Sequence, residues 1–253
     1  MSTFGKLLKG ALKFREVTKS NMVKRLNDCK LSGHHASAVM YACMDARIKP
    51  LSLVNAELGD IYIVRNAGNM IPFGGCQHEV SAVAEPAGLD LTVKLGKIKH
   101  VIVCGHSDCA AMKGLYGLHQ NPGSFDMNSP LHHWLEQRGN QSIERLEKRL
   151  KNGPQYKLQF AKNCQQFSFQ AMIDPEEKYN VLDKLSQINT LQQVENITSQ
   201  NFLAENFAKQ KVNLHAFWFE LETGDMLVFS KTKERYVVID SKNVNELIEE
   251  GEL

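Results

Sequence analysis

Two short segments carry residues able to bind and activate a metal: Cys43-Met44-Asp45-Ala46-Arg47 and His106-Ser107-Asp108-Cys109. Thiolate sulfur and neutral imidazole nitrogen suit zinc. A Cys2His set leaves one of zinc's four positions free for chemistry, whereas structural zinc sites usually close with four protein ligands. Cys43, His106 and Cys109 are therefore candidate ligands for one Zn2+ per chain. A buried cysteine is more often a small hydrophobe than a ligand, so none of the three says much alone. Their weight comes from position. Each segment follows a short apolar run, residues 38–43 and 100–104, and open α/β sheets build their sites where strands end. If both runs lie in one parallel sheet, their ends bring two thiols and an imidazole together.

The elements that must position these residues are legible as periodicity. Apolar runs at 38–43, 61–64 and 100–104 alternate with helical patterns, which predicts parallel strands joined by crossover helices. Residues 79–95 place Val80, Val83, Ala84, Ala87, Leu91 and Leu95 at spacings of three and four, as in a helix laid on a sheet. Residues 121–130 read as a loop and 131–150 as a helix. Over 179–210 apolar residues recur every three positions, predicting a long helix despite its many Gln and Asn and implying an extensive packing partner. Residues 214–221 and 226–229 flank Glu222-Thr223-Gly224-Asp225 and read as a hairpin, followed by a short helix at 243–250. Residues 153–175 give no clear pattern. The expected fold is α/β: a mostly parallel central sheet flanked by helices, with an N-terminal helical arm over 1–30 and one domain over 31–253, ending in the hairpin and helix.

A chain of 253 residues, 43% hydrophobic, can bury a sizeable core, and a formal charge of +2 is too balanced for a nucleic-acid binder. No apolar run reaches the roughly 18 to 20 residues of a membrane-spanning helix. Six cysteines with no secretory segment before them fit a reducing compartment better than an extracellular disulfide framework. The sequons Asn140-Gln141-Ser142 and Asn196-Ile197-Thr198 are then coincidental. The N-terminal arm interleaves Lys6, Lys9, Lys13 and Arg15 with Phe4, Leu7, Leu8, Ala11 and Phe14. It reads equally as a mitochondrial presequence or as an amphipathic helix laid on the body or on a partner. The expected location is the mitochondrial matrix or the cytoplasm, not outside the cell.

The pair of motifs CxDxR and HxxC on strand ends, with Arg65-Asn66-Ala67-Gly68-Asn69 between them, resembles the β-class carbonic anhydrases. The segment 183–193 and the strand Leu214-His215-Ala216-Phe217-Trp218-Phe219 resemble the animal members. The likeness spans roughly residues 35–240. It implies that Cys43, His106 and Cys109 ligate zinc and that Asp45 and Arg47 form a catalytic dyad beside it. It further implies reversible hydration of carbon dioxide to bicarbonate and a proton by attack of zinc-bound hydroxide, and a homodimer or higher even-numbered homo-oligomer. Zinc makes hydroxide available near neutral pH, Asp45 accepts its hydrogen, and Arg47 holds the carboxylate off the metal. In some members the aspartate releases arginine and closes the site, and those carry a tryptophan three residues before the first cysteine. Met40 stands there instead, which argues for an open site. Ala110-Ala111 and His34-His35 also depart from common family residues. His34 and His35 are expected to be a plain surface pair, with a proton shuttle the competing role. His119, His132 and His133 are expected to have no role, Cys104 to be core, and Cys29, Cys76 and Cys164 to have no function. Two alternatives compete: the same site acting on another small substrate such as carbon disulfide, or a zinc-stabilised interaction module without catalysis.

Overall fold

A computed structural model describes residues 2–33, 35–74, 83–162, 165–209 and 211–252. Helices α1 (Thr3–Lys13) and α2 (Lys19–Ser32), joined by a π-helical piece, form the N-terminal arm. The sheet strands are β1 (Ala38–Cys43), β2 (Ile61–Asn66), β3 (His100–His106), β6 (Asn213–Phe219), β7 (Met226–Ser230) and β8 (Arg235–Val238). A separate antiparallel pair, β4 (Lys157–Phe160) and β5 (Phe169–Met172), occupies the stretch that shows no clear pattern in sequence. The helices after the arm are α3 (Pro50–Leu53), α4 (Ala84–Leu89), α5 (Ala110–Gln120), α6 (Pro130–Asn152), α7 (Val181–Thr198), α8 (Ala204–Ala208) and α9 (Val244–Glu252). No described helix is long and apolar enough to cross a membrane.

The central sheet runs β2-β1-β3-β6-β7-β8, parallel through β6 and antiparallel beyond it. The expected mostly parallel α/β sheet is therefore present, and β8 extends the expected hairpin to a three-stranded meander. Strand β1 is buried along its whole length, as a central parallel strand must be. Val39, Tyr41 and Cys43 face the main core, while Ala38, Met40 and Ala42 face a smaller cluster with Ile102 and Cys104 on the other side.

Two expected boundaries are corrected. The helix expected over 79–95 is regular from Ala84 and turns π-helical over Asp90–Leu95, with residues 79–82 outside the described ones. The wider turn shifts the phase: Thr92 and Val93 are buried, while Leu91 and Leu95 are exposed. The helix expected over 179–210 stops at Thr198. There Ser199 accepts the Gly74 amide and Gln200 donates to the Pro72 carbonyl, so the chain leaves the helix axis to satisfy a neighbouring irregular segment. A short 3-10 turn and α8 follow, and residue 210 lies outside the described ones. The terminal helix forms at Val244–Glu252, close to expectation.

Candidate metal centre

The register makes the ends of β1 and β3 neighbours: Ala42 pairs with Cys104, so Cys43 and His106 emerge at the same sheet edge. Cys109 follows three residues after His106 as the N-cap residue of α5. Gly105 lets α7 lie against β3 at this point. A Cβ there would sit 2.0 Å from Thr190 Oγ1, which no side chain could tolerate. That approach lets the Ser186 hydroxyl donate to the His106 carbonyl at 2.6 Å, while Trp218 Nε1 donates to the same hydroxyl at 3.0 Å.

The outcome is one compact donor set. The ligand atoms of Cys43, His106 and Cys109 all lie within 4.8 Å of one another, and all three residues are buried. The two sulfurs are 3.9 Å apart. His106 Nδ1 is 2.8 Å from the Ser107 carbonyl, which can only accept, so the proton sits on Nδ1 and the Nε2 lone pair is free. Nε2 is buried and has no protein partner. A buried, unpartnered imidazole nitrogen beside two thiols is costly unless something binds it, and its tautomer, fixed by the Ser107 carbonyl on the other ring nitrogen, is the one a metal-ligating histidine adopts. The set therefore fits a metal ion.

Local electrostatics favour a thiolate at Cys43 and a protonated thiol at Cys109. The hydrogen bond between the thiols pulls Cys43 down and Cys109 up as the pair shares one proton, while burial pushes both up. The Gly68 amide favours the Cys43 thiolate, and the Met112 and Ala111 amides at the start of α5 favour that of Cys109. Gly68, at φ +78°, brings its backbone this close; a Cβ would press on Met112 and Met70 at 3.1 and 3.2 Å.

Asp45 and Arg47 lie beside this group. Arg47 donates from Nε and Nη2 to the Asp45 carboxylate at 3.0 and 2.7 Å, and its backbone amide adds a bond at 2.9 Å. These bonds hold the Asp45 carboxyl well below the usual carboxylate range. Two partners were not singled out from sequence. Arg47 Nη1 also donates to the Asp108 carboxylate at 2.6 Å, and Nη2 to its carbonyl at 2.9 Å. Arg65 ties the turn after β1 by donating to the carbonyls of Cys43 and Asp45 at 3.0 and 2.7 Å. Asp108 lies inside the HxxC motif and Arg65 in the Arg-Asn-Ala-Gly-Asn block, so the signal was present as proximity but not as a role.

The remaining candidates lie elsewhere. His119 pairs with Glu147 between α5 and α6, while His132 accepts the Asp126 amide and His133 lies against the Met127 carbonyl at the loop before α6. His35 is exposed, and His34 is outside the described residues. Cys104 is core, and Cys29 donates to the Leu58 carbonyl. Cys76 and Cys164 are outside the described residues. Met40 is fully buried in the smaller cluster.

A mostly parallel α/β sheet that gathers three residues able to hold a metal ion, with an aspartate-arginine pair beside them, is the arrangement of an enzyme class built on strand ends. The chain belongs to the carbonic anhydrase family, in its β class, with residues 38–226 matching the family. It is 44% identical to beta carbonic anhydrase 1 of Caenorhabditis elegans over 248 residues, 97% of this chain and 92% of that one. In fold it resembles the β-carbonic anhydrase CcaA, with a TM-score of 0.75 at 23% identity over 96% of this chain and 94% of that one. It also resembles a tetrameric β-carbonic anhydrase from Sordaria macrospora, with a TM-score of 0.56 at 16% identity over 85% and 96%.

Proposed function

We propose that this chain catalyses the reversible hydration of carbon dioxide to bicarbonate and a proton, with one Zn2+ per chain held by Cys43, His106 and Cys109. The observation that carries the reading is the convergence of three ligand atoms within 4.8 Å, one of them the unpartnered His106 Nε2, beside the Asp45 and Arg47 pair. Two thiolates and an imidazole favour zinc over harder cations, and three protein ligands leave a position for reaction. Zinc, when bound, supplies Lewis acidity that makes hydroxide available from water, tempered here by the charge of two thiolates.

The chain's own residues do the rest. Asp45 is ionised and accepts a hydrogen bond from the attacking group, which aims its lone pair at the carbon of carbon dioxide. Arg47 grips both carboxylate oxygens and so keeps Asp45 from swinging onto the metal. A purely structural metal site has no use for such a clamped carboxylate, which favours catalysis over an interaction module.

We further propose that residues 1–30 form an arm and 31–253 a single catalytic domain, assembled as a homodimer or a multiple of one, as the tetrameric relative suggests. The basic amphipathic arm fits import into the mitochondrial matrix. Imaging the chain with and without residues 1–20 decides between that compartment and the cytosol.

The test is stopped-flow hydration at pH 8.5 with zinc measured on the same sample. Fast turnover, about one zinc per chain, and loss of both on Cys109→Ser are expected. Asp45→Asn should retain zinc but lose turnover by about 100-fold or more. Activity should rise from pH 6 to pH 9. Full zinc with no hydration, or a flat pH profile, would overturn the reading.

A further inference from the structure

Half of the grip on Arg47 comes from Asp108, a residue that nothing in its own segment holds still. Asp108 is an exposed non-glycine residue at φ +50°, in the left-handed region, a conformation that costs energy unless its surroundings impose it. Its neighbours are pinned from β6. The Ser107 amide donates to the Phe219 carbonyl at 3.0 Å, and the Leu221 amide donates to the Ser107 hydroxyl at 2.8 Å. Asp108 itself is pinned from α7: its amide donates to Asp183 Oδ1 at 2.7 Å.

Asp183 is built for that task. Its second oxygen accepts the Asn180 side-chain amide at 2.7 Å, and Asn180 also caps the helix by accepting the Leu182 and Asp183 amides. Asp183 is buried, and among the described residues no Lys or Arg pairs with it. Burying a carboxylate without a counter-ion is costly, and what it obtains here is a charge-assisted bond to one backbone amide. That amide belongs to the residue whose carbonyl and carboxylate hold Arg47.

We propose that Asp183 is a positioning residue for the reaction: through the Asp108 backbone it sets Arg47, and through Arg47 it sets Asp45. The inference rests on the reading that Asp45 and Arg47 serve carbon dioxide hydration. Asp183 touches no reacting atom. A residue that merely stabilised the first turn of α7 would have no privileged link to Arg47, and this distinguishes the two roles.

The experiment is a double-variant cycle on zinc-loaded protein, comparing Asp183→Ala, Arg47→Ala and the pair, with the Arg47 side-chain 15N–1H signal recorded alongside. Asp183→Ala should lower kcat by about tenfold, as expected for a misplaced catalytic group, with zinc content and KM unchanged. In the Arg47→Ala background the same change should cost less than about twofold, because residues acting in one chain are not additive. The Arg47 Nε–H signal, slow to exchange when the guanidinium is clamped, should broaden or exchange faster in Asp183→Ala. Equal losses in both backgrounds, or an unchanged Arg47 signal, would overturn the proposal. If Asp183→Ala fails to fold, Asp183→Asn carries the same cycle, since it keeps the size but can satisfy only one of the two donors. An inactive parent with full zinc would sink the hydration reading, while the Arg47 signal would still decide whether Asp183 holds the clamp.

Discussion

Helices α1 and α7 invert what their sequences suggest. Helix α1 has the cleaner amphipathic pattern, yet none of its residues is buried, and Phe4, Leu7, Leu8 and Leu12 are all exposed. Helix α7 carries Ser186, Gln187, Asn189, Thr190, Gln192, Gln193 and Asn196, and every one of them is buried. The difference lies in what each helix must satisfy. The chain from Ala67 to Gly74 leaves the sheet and is largely buried, so its backbone groups have no ladder to join. Helix α7 supplies their partners: Asn189 donates to the Gly68 carbonyl, Gln193 accepts the Ile71 amide, and Asn196 donates to the Ile71 carbonyl. Polar residues on a buried helix are thus the mark of a scaffold for loops, here the loop that brings Gly68 to Cys43.

That contrast can be attacked directly. Asn196→Ala removes the side-chain donor to the Ile71 carbonyl and one of the two acceptors of the Gln192 side-chain amide, leaving buried hydrogen-bonding capacity unmet. A loss of about 3 kcal/mol in unfolding free energy is expected. A loss below about 0.5 kcal/mol by urea titration would mean that the polar side chains of α7 are not the scaffold proposed.

The sheet offers an intermediate case in the His100 and His215 pair, whose Nδ1 and Nε2 atoms lie 3.0 Å apart. Burial lowers His215 from 6.5 to about 4, with His100 and Lys231 adding to the effect. The unfolded chain therefore binds a proton that the folded chain refuses. This contribution is complete above pH 6.5 and is lost as pH falls toward 4. The fall in urea midpoint over that window should be shallower in His215→Gln, and an identical slope would show that His215 does not titrate with folding.

The smallest effect belongs to the arm. Leu8→Ala, at a site 56% exposed, should change unfolding free energy by less than about 0.5 kcal/mol at low protein concentration. A cost above about 1 kcal/mol would break the comparison by showing that the apolar face is covered in solution.

Much of the site was legible because strand ends are legible. Cys43 and His106 close two apolar runs, and Cys109 follows at a fixed short spacing, so parallel pairing alone brings them together. Asp45 and Arg47 were readable for the same reason, being two and four residues past one strand end. Periodicity misled where the backbone left regular geometry. The π-helical turn exposed Leu91 and Leu95, and α7 ended at Thr198, twelve residues before the boundary expected at 210, because Ser199 and Gln200 turn to residues 72–74.

The sequence by itself determined the fold class, the order of the parallel strands' chemistry-bearing ends and the donor types, because these follow from local pattern and from what sulfur and imidazole can bind. Only the tertiary structure decided which His106 nitrogen is free, that Arg47 is shared between Asp45 and Asp108, and that Asp183, 75 residues further on, holds the turn between them. Such facts depend on hydrogen bonds between residues far apart in the chain, whose lengths and directions are set by how the elements pack, and no local pattern records them.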